Sequence, residues 1–134
     1  MKQVCYFERL LNAELFEQLI TQDGDIALSR IDRDMPDSEI DAALSKVHGY
    51  HTRGNQSLIP KRYIIDSKFL EKCPNLVAVS TGGAGYDSII VEDCTNAGIL
   101  VTNQAGLNAE AVAEHAIGMM LCLTKQIAQV NMAM

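Results

Sequence analysis

The sequence lacks both a basic cluster and a long hydrophobic run. Its longest basic stretch is Lys61-Arg62, and the chain carries a formal charge of -6. Nucleic-acid-binding proteins usually present a basic face, so we expect no nucleic-acid partner. The longest strongly apolar run, residues 117–123, is much shorter than the roughly 20 residues of a membrane-spanning helix. The first residues also lack the apolar core of a signal peptide, and we expect no membrane partner.

Paired cysteines and clustered metal ligands are also missing. The four cysteines stand far apart, at positions 5, 73, 94 and 122, with no Cys-x-x-Cys pair. This spacing is typical of reduced thiols in a protein core and favours a cytoplasmic location. His48 and His51 stand three residues apart without a further ligand nearby in the sequence, so we expect no metal site.

What the sequence does contain is an alternation of strand-like and helix-like segments. With 134 residues, 48% of them hydrophobic, the chain is long enough to form one domain with a core. The pattern predicts five strands, at residues 2–7, 25–31, 47–52, 76–80 and 99–102, with helices at 13–21, 35–46, 61–72 and 88–96 between them. Short apolar strands joined by helices predict an open, doubly wound, mostly parallel α/β sheet of the flavodoxin-like type.

The last segment predicts a long helix. Apolar residues recur at spacings of three and four from Asn108 onward, and Asn108 is placed to cap the helix. We therefore expect an α/β domain at residues 1–105 and a helix-containing segment at 106–134, with the helix running uninterrupted to the last residue. This helix is apolar on nearly every face, which predicts either a missing neighbouring domain or pairing with a second copy of the chain.

The segment Ser80-Thr-Gly-Gly-Ala-Gly-Tyr-Asp87 is the strongest local motif. Glycines at the end of a strand can adopt the positive φ angles that turn consecutive backbone N–H groups toward an anion, helped here by the predicted helix at 88–96. The simpler alternative is a tight turn without a ligand. A dinucleotide fingerprint fits poorly, because Ser88 stands where its third glycine would be and no acidic residue ends the next strand.

A second candidate lies in the loop after the third predicted strand. Arg53 follows that strand, at the edge of the sheet where ligands bind in doubly wound folds. Its guanidinium group either helps to bind an anionic substrate or is a solvated surface charge. The sequence leaves both possibilities open.

Three ordered blocks resemble the amino-terminal part of the D-isomer-specific 2-hydroxyacid dehydrogenase family. The first is Pro74-Asn-Leu-Val-Ala-Val-Ser-Thr-Gly-Gly-Ala-Gly-Tyr-Asp87. The second and third are Ala97-Gly-Ile-Leu-Val-Thr-Asn103 and Asn108-Ala-Glu-Ala-Val-Ala-Glu-His-Ala116. The match is close over about residues 74–125 and looser over the strands and helices that precede them.

The resemblance implies an NAD(P)-dependent oxidoreductase that acts on a small D-2-hydroxy or 2-keto acid. It assigns the substrate carboxylate to the glycine turn, at Gly83, Ala84 and Gly85, and places Asn108 beside the pocket. The family's dinucleotide domain and its catalytic arginine, glutamate and histidine have no counterpart in this sequence, so no catalytic or cofactor-binding residue is assigned. We therefore expect an incomplete substrate-binding portion that binds no NAD or NADP and is inactive alone.

A non-enzymatic reading remains alongside this one. The same glycine turn could serve an α/β module that binds small carboxylates or a partner protein, and the long helix could join two copies of the chain into a homo-oligomer.

Overall fold

The computed structural model describes residues 1–10 and 12–133 and shows two compact units, Met1–Asn103 and Gln104–Met134. The strands are β1 (Lys2–Phe7), β2 (Ile26–Ile31), β3 (Gly49–Thr52), β4 (Ala78–Thr81) and β5 (Leu100–Thr102). The helices are α1 (Ala13–Thr21), α2 (Asp37–Leu44), α3 (Ser67–Glu71), α4 (Val91–Asn96), α5 (Ala109–Thr124) and α6 (Ile127–Ala133). Two short 3-10 helices, Gln56–Leu58 and Lys61–Tyr63, precede α3.

The first unit is an α/β domain. Its five strands are all parallel and lie in the order β2-β1-β3-β4-β5. This confirms the predicted open, parallel α/β fold. The order reverses between β1 and β3, so a crevice forms there at the carboxyl ends of the strands, which is where doubly wound sheets bind ligands.

One face of the sheet carries most of the core. Phe7, Ile31, Tyr50 and Val79 project from neighbouring strands and are all almost completely buried. Across this core, the centroid of the Phe7 ring lies 4.4 Å from the centroid of the Tyr63 ring. Parallel strands with a buried apolar face need helical cover, which the crossover segments provide. This core supports the strand ends from which the functional loops leave.

Local capping fixes α1 where the sequence predicts it. The Asn12 side chain accepts a hydrogen bond from the Leu15 backbone N–H at 3.3 Å, as an N-cap residue does. The predicted strand at 2–7 and helix at 13–21 are both confirmed. At the end of α4, Gly98 adopts φ +71°, the left-handed conformation that often follows a helix.

Two predicted helices are shorter than expected for the same reason. The segment 61–72 contains a 3-10 turn and then α3, which begins after Asp66, and α4 begins at Val91 instead of Ser88. Between these elements Ile65 forms a parallel β-bridge with Ile89. The bridge extends both segments locally, and Asp66 then caps α3 by accepting a hydrogen bond from Phe69 N–H.

The prediction of one uninterrupted helix from 108 to the end is wrong. In the second unit α5 ends at Thr124, and α6 starts at Ile127. Between them Gln126 has φ 51°, a left-handed conformation that a continuous right-handed helix cannot contain. Asn108 is the N-cap residue of α5 but makes no capping side-chain hydrogen bond. No helix in the described ranges is long and apolar enough to cross a membrane.

Candidate functional site

The glycine turn connects β4 to the segment before α4, and its shape differs from the predicted one. Gly82, Gly83 and Gly85 all lack positive φ angles, which among the described glycines occur at Gly24, Gly98 and Gly106. The turn is therefore not a nest of alternating right- and left-handed residues. It is also not the start of a helix, because three residues separate Asp87 from Val91. The predicted assistance from a helix amino terminus directly after the turn is wrong.

The turn is held by hydrogen bonds to its carbonyl groups. The Thr81 hydroxyl donates to Gly85 O at 2.8 Å and to Gly83 O at 3.3 Å. The Asn103 side-chain amide donates to Ala84 O at 2.9 Å. Neither Ala84 nor Gly85 donates its backbone N–H to any residue that the structure describes. The polypeptide therefore fixes the acceptors of the turn and leaves these two donors for a ligand.

Glycine is required at this edge because two loops touch through their backbones. A Cβ atom on Gly54 would lie 2.0 Å from Gly85 O, a distance that side-chain atoms do not tolerate. The Ser88 hydroxyl donates to Arg53 O at 2.5 Å, and Ser88 N–H donates to Gly54 O at 3.3 Å. The loop after β3 is thus joined to the glycine turn, and Arg53 lies beside that junction.

His51 lies on the other side of the turn. It stands opposite Ser80 in the β3–β4 pairing, and its Nδ1 shares a hydrogen bond of 2.8 Å with the Ser80 hydroxyl. Its Nε2 would be 3.3 Å from a Cβ atom on Gly82, so the ring lies against the start of the turn. Burial lowers the pKa of His51, which favours the neutral imidazole. Among the described residues no metal-binding cluster includes it.

Arg53 reaches from the junction toward a charged groove. One of its nitrogen atoms is 3.5 Å from a carboxylate oxygen of Glu8, and its side chain remains about one-third exposed, at 33%. Glu8 directly follows β1 and is itself bound by Arg33 through two guanidinium nitrogens. The hydrogen bond from Arg33 lowers the pKa of the Glu8 carboxyl group, with smaller contributions from the Arg33 and Arg53 charges. Arg53 is therefore partly paired and partly available to a ligand.

The groove lies at the carboxyl ends of β1, β2 and β3 and has a volume of about 830 Å³. Its charged lining consists of four arginines and three acidic residues: Arg9, Arg30, Arg33, Arg53, Glu8, Asp32 and Asp34. The formal charge of this lining is positive, while the whole chain carries -6. The groove thus concentrates positive charge on an otherwise acidic molecule, in the crevice where strand order reverses.

These features have a clear match among known proteins. Residues 5–134 match the family described as D-isomer specific 2-hydroxyacid dehydrogenase, catalytic domain. The chain belongs to this family. The resemblance inferred from the three sequence blocks is confirmed, and the match includes the preceding strands and helices, where the sequence resemblance was looser.

Curated relatives with similar sequences include proteins of two different names. Glyoxylate reductase of Thermofilum pendens is 36% identical over 67 residues, which are 50% of this chain and 20% of that protein. D-3-phosphoglycerate dehydrogenase of Mycobacterium leprae is 32% identical over 74 residues, which are 55% of this chain and 14% of that protein. The chain therefore spans a fifth or less of the length of these relatives.

Solved structures of the family share the fold. A 2-hydroxyacid dehydrogenase from Ketogulonicigenium vulgare Y25 aligns with a TM-score of 0.74 at 23% identity, covering 98% of this chain and 39% of that one. D-Lactate dehydrogenase from Aquifex aeolicus, complexed with NAD and lactic acid, aligns with a TM-score of 0.69 at 23% identity, covering 96% and 35%. At this level of identity the likeness establishes the fold and no residue role.

The structure brings together most of the predicted dehydrogenase site. Gly83, Ala84 and Gly85 form the turn, and Arg53 lies next to it through Gly54. The assignment of all four to substrate binding, and the placing of Asn108 beside the pocket, stay predictions. Sequence reasoning missed Gly54, whose only signal is its position directly after Arg53 at a strand end.

Proposed function

We propose that this chain supplies the carboxylate-binding part of the active site of an NAD(P)-dependent D-2-hydroxyacid dehydrogenase. Family membership supports the reaction class, and the unpaired N–H groups of Ala84 and Gly85 support the role of the turn. The two adjacent amide donors are held in place because Thr81 and Asn103 donate hydrogen bonds to the carbonyl groups of the same residues. Such a pair of donors suits a carboxylate, because charge-assisted hydrogen bonds to anions are strong. Arg53, next to the turn, adds positive charge.

Hydride transfer needs more than this carboxylate-binding part of an active site. It requires a bound nicotinamide and a group that gives or takes a proton at the substrate oxygen. In the family such groups follow the segment that this chain matches, and every arginine of this sequence precedes the glycine turn. We therefore expect purified 134-residue protein to show no NAD(P)H-dependent reduction of glyoxylate, pyruvate or hydroxypyruvate. Steady oxidation of NADH or NADPH that depends on the keto acid would contradict this.

The carboxylate role is tested by calorimetric titration with glyoxylate, since this small keto acid offers little besides its carboxylate. We expect a dissociation constant in the millimolar range for the chain alone. Replacing Gly85→Val should remove detectable binding, because a Cβ atom on Gly85 would already lie 3.8 Å from Gly54 C and O, so the branched side chain must displace the turn and its amides.

The control variant is Val77→Ala, which changes an exposed residue just before β4, at the opposite edge of the sheet. It should bind glyoxylate like the wild type, and circular dichroism should show that both variants keep the fold. Equal glyoxylate affinity in Gly85→Val and wild type would exclude the turn as the carboxylate site. An absence of glyoxylate binding in the wild type would instead favour a scaffold or partner-binding module.

A further inference from the structure

His51 has one ring nitrogen that the protein holds and one that it leaves free. Nδ1 shares the 2.8 Å hydrogen bond with the Ser80 hydroxyl, and the ring packs against Phe16 of α1 with the ring centroids 5.9 Å apart. Nε2 forms no hydrogen bond with any residue in the described ranges. The enclosed side-chain polar atoms without a partner in this part of the chain belong to Tyr50 and Thr52, so Nε2 of His51 reaches solvent. The ring is therefore fixed in place while Nε2 is available to a ligand.

A glycine leaves the space beside Nε2 open. A Cβ atom on Gly82 would lie 3.3 Å from Nε2 and 3.6 Å from Cε1 of His51, and apart from the adjoining residues no other atom lies within 4 Å of that position. Gly82 has no positive φ, so its backbone conformation does not itself require glycine. An oxygen atom of a ligand in this space can approach Nε2 to a normal hydrogen-bond distance of about 2.9 Å.

This space lies close to the amides that we assign to a carboxylate. Ala84 follows Gly82 by two residues, so the two Cα atoms are at most about 7 Å apart. In a 2-hydroxy or 2-keto acid, only two carbon atoms separate the oxygen on C2 from a carboxylate oxygen. A ligand held by the N–H groups of Ala84 and Gly85 therefore has its next oxygen within reach of the space beside His51.

Nε2 can take either role in a hydrogen bond. Burial lowers the pKa of His51 and favours the neutral imidazole, which has one N–H donor and one acceptor nitrogen. The Ser80 hydroxyl can donate to Nδ1 or accept from it. Nε2 can therefore donate to a keto oxygen in one tautomer and accept from a hydroxyl group in the other. This versatility fits both members of a pair of 2-keto and 2-hydroxy acids.

We propose that His51 is a substrate-contacting residue whose Nε2 binds the oxygen on C2 of the acid held by the glycine turn. The contact distinguishes 2-hydroxy and 2-keto acids from plain carboxylic acids of similar size. This inference rests on the proposed function, because it takes the carboxylate to lie at Ala84 and Gly85. Ser80 and Phe16 act through His51, as positioning residues that hold its ring.

The test compares glycolate with acetate, which differ by the hydroxyl group on C2. Isotope-labelled protein is titrated with each acid at constant pH and ionic strength, and amide chemical shifts give the two dissociation constants. The wild type should bind glycolate about fivefold more tightly than acetate, the effect of one neutral hydrogen bond. This preference, and not the affinity for either acid, is the quantity that reports on Nε2.

Two substitutions separate contact with the ligand from contact with Ser80. His51→Gln retains a polar group near the position of Nε2 and should keep most of the preference for glycolate. His51→Asn retains a polar group near the position of Nδ1 and should lose the preference while binding acetate like the wild type. A residue that only supports the turn through Ser80 would give the opposite order. A His51→Asn protein with the full preference would overturn the proposal, and so would a wild type without any preference.

Filling the space beside Nε2 tests the same contact with His51 intact. Gly82→Ala adds a methyl group 3.3 Å from Nε2 and should remove the preference for glycolate. The matched control is Gly118→Ala, which adds the same group in α5, where no atom lies within 4 Å, and should keep the preference.

Gly85→Val separates a failure of this inference from a failure of the proposed function. It should remove the binding of both acids. If both acids still bind and the preference still depends on His51, the glycine turn is not the carboxylate site and the His51 contact is retained. If Gly85→Val removes binding but His51→Asn leaves the preference unchanged, the carboxylate site is retained and the His51 contact is rejected.

Discussion

Replacing Gly54→Ala is expected to lower the free energy of unfolding by about 3 kcal/mol, at the upper end of the range for overpacking a tight contact. The added Cβ would lie 2.0 Å from Gly85 O, so one of the two loops must move. A flexible side chain could rotate away from such a contact, but a carbonyl group fixed by Thr81 cannot do so without losing its hydrogen bond. Urea unfolding followed by circular dichroism measures the change.

Gly83→Ala is the matched control for this substitution. Gly83 lies in the same turn, has no positive φ and has no atom within 4 Å of its Cβ position. Its substitution by alanine should leave stability unchanged or raise it by about 0.5 kcal/mol, since alanine reduces the entropy of the unfolded chain. If both variants unfold at the same urea concentration, the result would contradict the close backbone contact between the two loops.

Phe7→Ala is the second substitution with a large expected effect, a loss of about 3–5 kcal/mol typical of deleting a buried aromatic ring. Phe7 is 1% exposed at the end of β1, and its ring packs against Tyr63, whose hydroxyl donates to Asp32 O at 2.9 Å. The ring therefore supports both Glu8, the next residue, and the loop after β2. Because domains are stable by only about 5–15 kcal/mol, this variant should be close to unfolding at room temperature.

Two comparisons separate packing at Phe7 from a general effect of aromatic loss. Phe7→Leu retains most of the buried volume and should cost less than half as much as Phe7→Ala. Tyr86→Ala removes a ring that is 51% exposed and should change stability by at most about 0.5 kcal/mol. A Phe7→Ala protein with the unfolding midpoint of the wild type would show that the Phe7 site is not part of the core.

Local signals in the sequence were sufficient for much of the first unit. The strand β1 and the helix α1 both depend on residues that are close together in the sequence, and both were predicted with the bounds that the structure shows. The break at Ile65 was not predictable in this way. It depends on pairing with Ile89, 24 positions later, and tertiary pairing overrides helix propensity there.

The candidate site shows the same difference between local signals, which were visible in the sequence, and long-range contacts, which were not. The glycine turn is a contiguous motif, and its family resemblance was visible in the sequence. The need for glycine at position 54 was not visible, because the atom that limits it, Gly85 O, belongs to another loop. The charged groove is still harder to foresee, since Arg9 and Arg53 are 44 positions apart and line it together only because β1 and β3 are adjacent and parallel.

The strand order also has a consequence for how the chain folds. β1, the first of the five strands in this sequence, pairs with both β2 and β3 and so occupies an interior position in the sheet. Its second neighbour is formed by residues 49–52, so one side of β1 stays unpaired until that later segment joins it. Closing such long loops costs entropy before the contacts compensate for it, which slows folding. Each interior strand of this sheet thus acquires its second neighbour from a later part of the sequence, and for β1 that neighbour lies beyond residues 8–48.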